Sequence, residues 1–373
     1  MSSSPSPVRS TTYADAGVDV VAGDRAVELM KASVARTHAA PALGGVVGGF
    51  GGFAGLYDVS ALRDYRRPLL ATSTDGVGTK VAVAQAVDKH DTIGFDLVGM
   101  VVDDIVVCGA TPLFMTDYIA CGRVVPERMA AIVDGIARAC EEAGVALVGG
   151  ETAEHPGLLG AEEYDVAGAV TGVVEADELL GAERVVAGDV LVAMASSGLH
   201  SNGYSLVRRV FADAGWSYDR HVEEFGRSLG EELLEPTRVY ARPALGTLAV
   251  GGVHAMTHVT GGGLAANLAR CLPETLTAVV DRATWTPGAV FSTVRDLGGV
   301  PAGDLERTLN LGVGMIAVVA PESADAVVAS IERSGIPAWV CGEVRERQDA
   351  DGASNGKSVA GGVALLRGTH QGW

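Results

Sequence analysis

The chain has 373 residues, more than one hydrophobic core usually organises, so two domains are expected. Fifty glycines, 48% hydrophobic residues and only 5% aromatics describe an ordered α/β protein rich in tight turns, and exclude a disordered chain. A formal net charge of -18 excludes the broad basic face that nucleic acid or an anionic membrane requires. An anionic substrate would have to be met by locally positive groups, by helix N-termini or by a metal.

The five cysteines (Cys108, Cys121, Cys140, Cys271 and Cys341) form no CxxC pair and no regular spacing, which suits reduced thiols and no disulfide frame. Residues 1–12, MSSSPSPVRSTT, read as a disordered polar lead without an apolar signal core, and no later stretch is long and apolar enough to span a membrane. The protein reads as cytoplasmic.

In chain order, Asp24 to Ala39 predicts a helix with Asp24 as its N-cap. Gly44 to Gly55, GGVVGGFGGFAG, contains a GxGxxA match at Gly49, Gly51 and Ala54. No strand leads into it, so it reads as a mobile or ligand-hugging loop and not as a dinucleotide fingerprint. Pro68 to Thr72 predicts a buried strand running into STDGVGTK, Ser73 to Lys80. There two glycines let the backbone turn and offer N–H groups to an anion, Asp75 is an oxygen ligand of the kind magnesium prefers, and Lys80 is a point charge for phosphate. The order is not that of a P-loop, and the alternative is a plain strand-to-helix turn with a surface lysine.

Thr92 to Gly109 predicts a helix with Val98, Val101, Val102 and Ile105 on one face and Asp96 and Asp103 on the other, Asp104 bordering the apolar stripe. The acidic face is either solvated or, given Met100 and Val107 beside it, set against another surface. Pro126 to Ala143 predicts an amphipathic helix ended by Gly144, then the strand VALVGG and Glu151, a β-α-β order that puts an acidic residue past a strand's carboxyl end. After a strand at Asp165 to Val170, polar residues near 175–188 mark a domain boundary before the strand Val190 to Ala195.

SSGLHSNG, Ser196 to Gly203, opens a helix Tyr204 to Ala214, and THVTGGG, Thr257 to Gly263, opens another, Leu264 to Cys271. Helices near 287–297 and 323–334 alternate with strands Gly314 to Val319 and Ala338 to Val344. Residues 348–362 read as a flexible excursion, and residues 363–373 as a terminal strand and tail.

YADAGVD at Tyr13, STDGVGTK, the pair Asp103-Asp104 followed by CGATP, LVGGET at Leu147, YDVAG at Tyr164, SSGLHSNGYSLVR, HVTGGG and LGVGM at Leu311 occur in that order. Together they resemble the phosphoribosylformylglycinamidine cyclo-ligase (AIR synthetase) family of purine biosynthesis, from about Tyr13 to Val344. The resemblance implies an α/β (α+β) fold of two domains, 13–178 and 179–347, each a mixed sheet packed by helices, with the N-terminal sheets forming a barrel across a homodimer. It also implies ATP and Mg²⁺ as cofactors and closure of formylglycinamidine ribonucleotide to aminoimidazole ribonucleotide through phosphorylation of the formyl amide oxygen.

On that resemblance, Asp75 and Asp104 are metal ligands, joined by Asp103 if its extra carboxylate enters the shell. Glu151 is either a further metal or substrate ligand or a capping and structural residue. Lys31, Asp75, Gly76, Gly78, Thr79, Lys80 and Asp104 hold the nucleotide; Asp75, Lys80, Asp104 and His200 are the catalytic set. Ser197, His200, Ser201, Asn202, Gly261, Gly262 and Gly263 hold the substrate. The chain departs from the family where Asp103 replaces a usual asparagine, Thr111 a frequent glutamate, and Leu309 a common phenylalanine. A far longer amidotransferase-coupled synthetase does not fit 373 residues. A selenophosphate synthetase would want a reactive cysteine near its start, where the first here is Cys108.

Overall fold

The computed structural model describes residue 13 and residues 16–49, 51–356 and 361–373; the expected disordered lead, residues 1–12, lies outside them. The first domain opens with α1 (Val20–Thr37), capped by the Asp19 side chain, which accepts from the Ala22 N–H. The helix therefore starts before the Asp24 expected to cap it. Strands β1 (Gly45–Val47) and β2 (Leu56–Asp58) pair as a hairpin around the glycine-rich segment.

Then come β3 (Pro68–Gly76), α2 (Val81–Val87), α3 (Ile93–Val106), β4 (Thr111–Cys121), α4 (Pro126–Ala143), β5 (Ala146–Glu154) and β6 (Tyr164–Glu175). Pro126 at the first turn and Gly144 in the left-handed conformation bound α4 where the sequence places its ends. Strands β3, β6, β4 and β5 form one mixed sheet in that order, with β4 and β5 parallel across α4 as the β-α-β pattern requires. Its register aligns Asp75, Gly168, Asp117 and Gly150 in one row across the four strands.

The chain crosses to a second sheet between Glu175 and Val190. The second domain comprises β7 (Val190–Ala195), α5 (Tyr204–Asp213), β8 (His221–Val222), β9 (Arg227–Ser228), α6 (Leu229–Leu233), α7 (Ala241–Leu248), β10 (Val253–His258), α8 (Gly263–Leu268) and β11 (Leu276–Asp281). It continues with α9 (Ala289–Gly298), α10 (Ala302–Thr308), β12 (Val313–Val319), α11 (Ala324–Glu332), β13 (Ala338–Glu346) and β14 (Val363–Arg367). Its six strands run in the order β10, β12, β7, β13, β11, β14, all neighbours antiparallel except β11 and β14.

Every residue of β12 is buried. Past a bulge between Val313 and Met315, Ile316 and Val318 join one apolar cluster and Met315, Ala317 and Val319 the other, the period-two signature of a strand covered on both faces.

Two features connect the domains. Helix α3 packs on β3, β6 and α4 of its own domain and also meets α7 and β10 of the second. It comes so close to α4 that a Cβ on Gly94 would lie 1.9 Å from the Ile136 nitrogen. Its acidic face is thus covered by protein, not solvated. At the other end of the chain, residues 348–356 of the expected excursion are tied to the second sheet. Asp351 accepts from Thr277 and Arg345, and Asn355 both donates to and accepts from the Ala364 backbone.

Candidate active site

A cleft of about 750 Å³ opens between the domains. One wall is the end of β3 and the following turn, Asp75 to Thr79. The other is the Ser201 to Ser205 turn into α5, with Asp165 to Ala167 and Met100 closing the sides. The first wall exists because β3 ends at Gly76 and Gly78, at φ +75°, folds the chain back toward α2. Asp75 is exposed there, one of its oxygens accepting from the Gly76 N–H at 2.7 Å. The second wall turns at Gly203, at φ +82°, where a Cβ would sit 2.4 Å from Leu309. The walls touch through the Thr79 and Ser205 hydroxyls, 3.2 Å apart.

Asp104 reaches this region from α3 and pairs with His258 at the end of β10, Oδ1 to Nδ1 3.1 Å. Burial alone would lower the His258 pKa, yet the hydrogen bond to Asp104 and the charges of Asp103, Asp104 and Asp75 raise it above the usual histidine value. His258 is the residue the sequence reading passed over. Its signal was in the HVTGGG motif, where attention went to the glycines.

Several expected site residues lie elsewhere. Lys80, expected at phosphate, is fully buried. Its Nζ donates to Asp96 Oδ1 (2.6 Å), the His200 carbonyl (3.1 Å) and the Glu235 carbonyl (2.6 Å), using all three hydrogens of an ammonium and leaving none for a ligand. Burial pulls the Lys80 pKa down, and the adjacent Asp96 carboxylate opposes it.

Asp103 is equally buried, both its oxygens accepting from the Tyr240 N–H, and burial pushes its pKa up to about 7. It is a closed contact between domains, not an open metal ligand. His200 holds φ +61°, accepts from the Ser197 N–H at Nε2 and leaves Nδ1 buried without a partner. Burial drives its pKa well below the usual histidine range, so the ring is neutral and enclosed where a catalytic, substrate-binding group was expected.

Glu151 stands within β5, not past its end, opposite Tyr118 and so three strands from Gly76. Three strand spacings are roughly 14 Å. Asp104 hydrogen-bonds His258, and the Asp75 charge helps raise the His258 pKa; Glu151 does neither. Among the described residues no group of three or more His, Cys, Asp or Glu side chains is arranged to hold a metal ion.

Ser201 and Asn202 do line the cleft, whereas Ser197 lines a separate groove and donates to the Pro236 carbonyl. Gly261 to Gly263 form a turn whose carbonyls accept from Asn267. The Gly263 N–H is spent on Thr260, and a Cβ at Gly263 would meet the Glu306 carbonyl at 1.7 Å, so this glycine is required by packing. Lys31 is exposed and paired with Glu28 at 2.5 Å.

A second cavity, about 650 Å³, lies between α1, β4, β5 and the glycine-rich segment 49–55. Met30, Val34 and Leu147 supply apolar walls. Asp117 lies at its side, folded over Gly150, buried, with its pKa pushed up to about 7 by burial.

Two mixed sheets with a cleft at their junction, and Asp75 facing the Ser201 turn across it, define a class. Residues 57–174 match the AIR synthase related protein N-terminal domain and residues 186–353 its C-terminal domain. The chain is 48% identical over 335 residues to the phosphoribosylformylglycinamidine cyclo-ligase of Geobacillus thermodenitrificans, covering 90% of this chain and 95% of that one. It is 46% identical over 337 residues to that of Brevibacillus brevis, covering 90% and 96%. The chain belongs to the phosphoribosylformylglycinamidine cyclo-ligase family.

Among solved structures, thiamine-monophosphate kinase from Stenotrophomonas maltophilia shares the fold at TM-score 0.62 and 18% identity, over 92% of this chain and 96% of that one. Hydrogenase maturation protein HypE in complex with ATP shares it at 0.58 and 20%, over 84% and 85%.

Proposed function

We propose that this protein closes the imidazole ring of aminoimidazole ribonucleotide from formylglycinamidine ribonucleotide, consuming ATP in purine biosynthesis. The formyl amide oxygen attacks the γ-phosphorus and ADP leaves. The ring-forming nitrogen then attacks the activated carbon, loses its proton, and phosphate departs with the former amide oxygen. Such phosphoryl transfer needs alignment and charge neutralisation more than a protein nucleophile.

The observation that carries the reading is the shared cleft: the Asp75 to Thr79 wall for phosphates facing the Ser201 to Ser205 wall for the ribonucleotide. Gly78 and Thr79 offer backbone N–H groups to the phosphates beside the Gly76 turn, and Ser201 and Asn202 present hydrogen-bonding groups to the ribonucleotide. Asp75 and Asp104 are the proposed Mg²⁺ ligands. Magnesium in nucleotide sites is held by one or two carboxylates, with phosphate oxygens and water completing its shell, so two carboxylates suit it without a third. His258 holds Asp104 in place through its Nδ1.

The apolar cavity beside Asp117 has the size and character to take the nucleotide base, and it adjoins the Asp75 row of the sheet at about two strand spacings, roughly 10 Å. The exposed outer residues Leu70, Tyr118, Val47 and Leu56 support pairing of two N-terminal sheets in a homodimer. No helix among the described residues is long and apolar enough to cross a membrane.

The test is a coupled assay with purified protein, Mg²⁺, ATP and formylglycinamidine ribonucleotide. ADP and aminoimidazole ribonucleotide should appear together, and only when all components are present. ADP without the imidazole product would overturn the assignment.

A further inference from the structure

We propose that Lys80 and Asp96 are positioning residues, a buried clasp between the domains that sets the distance between the two walls of the cleft. The inference rests on the reading that the ring closes in that cleft.

Lys80 directly follows Thr79, the last residue of the first wall. Two of its three bonds go to the other domain: to the carbonyl of His200, which immediately precedes Ser201 of the second wall, and to that of Glu235. The third goes to Asp96, whose Oδ1 also accepts from the Thr237 N–H (3.0 Å) and hydroxyl (2.7 Å). The Thr237 hydroxyl in turn lies 3.1 Å from that of Ser201. The second wall is thus held twice from the first domain, through its backbone by Lys80 and through Ser201 by way of Asp96 and Thr237. The Tyr204 ring, 5.5 Å from the Lys80 Nζ, packs against the same charge.

A buried ion pair is seldom a net stabiliser, because the desolvation of two charges offsets their attraction. Two apolar side chains of similar volume would fill the same space. What they could not do is orient carbonyls on a partner domain, since apolar packing has no direction and a three-hydrogen ammonium has three. Ring closure brings a nucleotide on one wall to a ribonucleotide on the other, and misplacement by about 1 Å can cost on the order of 100-fold in such a step. A fully buried lysine with saturated donors is the cation at this junction suited to setting that spacing without touching either ligand.

The variants Lys80→Met, Asp96→Leu and the double Lys80→Met/Asp96→Leu test this well below each variant's melting midpoint, with turnover expressed per folded molecule. The apolar double variant guards against loss of folding in the singles, because it leaves no buried charge unpaired. In Lys80→Met, kcat should fall at least about 100-fold while the ADP dissociation constant changes by less than about threefold, and the double variant should be no slower than the single, because the pair acts as a unit. Amide exchange over residues 200–206 should accelerate in both.

ADP binding weakened by more than about tenfold, in step with turnover, would mean that Lys80 touches the nucleotide, and would overturn the clasp. Unchanged turnover per folded molecule with a lowered melting midpoint would reduce the pair to packing and overturn it equally. If the wild-type protein forms no aminoimidazole ribonucleotide, the ring-closing assignment falls. Faster exchange at 200–206 in Lys80→Met would still support the clasp, and unchanged exchange would still reject it.

Discussion

Helix α3 carries three aspartates into two environments. Asp104, 39% exposed, lies open to the surface and is met by a histidine from the second domain. Asp96 and Asp103, both 0% exposed, face a protein wall made by residues near Thr237 and Tyr240. The open side uses carboxylates that a cation can reach. The closed side uses them as acceptors that fix one domain on the other, Asp96 for Lys80 and Thr237, Asp103 for the Tyr240 N–H. Residue type alone therefore does not distinguish a ligand from a fastener; what covers the face does.

The largest effect that could break this comparison is on stability. Asp96→Ala leaves the Lys80 ammonium buried without its counter-charge, and should cost roughly 3–5 kcal/mol in urea unfolding. A loss below 1 kcal/mol, the range of exposed pairs, would place Asp96 with the solvated carboxylates after all.

Next is Asp104→Asn, which keeps shape and a hydrogen-bonding oxygen but removes the exposed charge. Turnover should fall by about two to three orders of magnitude, the scale of losing one preorganised electrostatic contact. Near-normal turnover at saturating Mg²⁺ would move Asp104 to the fastening side.

The third test is a pH dependence and concerns Asp103. Its folded pKa is raised from the ordinary 3.8 to about 7, so between those values the folded protein holds a proton that the unfolded chain has released. Stability must then fall as pH rises through that window, and this contribution is constant above it. Asp103→Asn retains an acceptor for the Tyr240 N–H and removes the titration. The variant should gain stability relative to wild type as pH rises from about 4 to 7, measured by denaturant unfolding at several pH values. A parallel pH dependence in both proteins would show that Asp103 is not buried against Tyr240. Because the change keeps the contact with Tyr240 and lies outside the cleft lining, turnover should survive it.

Much of the architecture was legible because it is locally encoded. Pro126 and Gly144 bound α4 through first-turn geometry and a left-handed cap. The order of α4 and β5 follows from the alternation of apolar patterns, and the glycine turns at Gly78 and Gly203 lie where their motifs put them. The start of α1 was misplaced because Asp19 and Asp24 are both plausible caps, and only the bond to Ala22 separates them. Strands β4 and β11 were not anticipated, since they gain their character from pairing, β4 with β5 and β6 and β11 with β13.

By itself the sequence determined the family, the two-domain plan and the cleft turns around Asp75 and Ser201, since motif order and turn chemistry are written along the chain. Tertiary structure alone decided which charges are free. Lys80 meets Glu235 from 155 residues away, and Asp96 meets Thr237 from 141. Helical periodicity places a carboxylate on a face; whether that face meets water, a ligand or another domain depends on desolvation by residues far off in the chain.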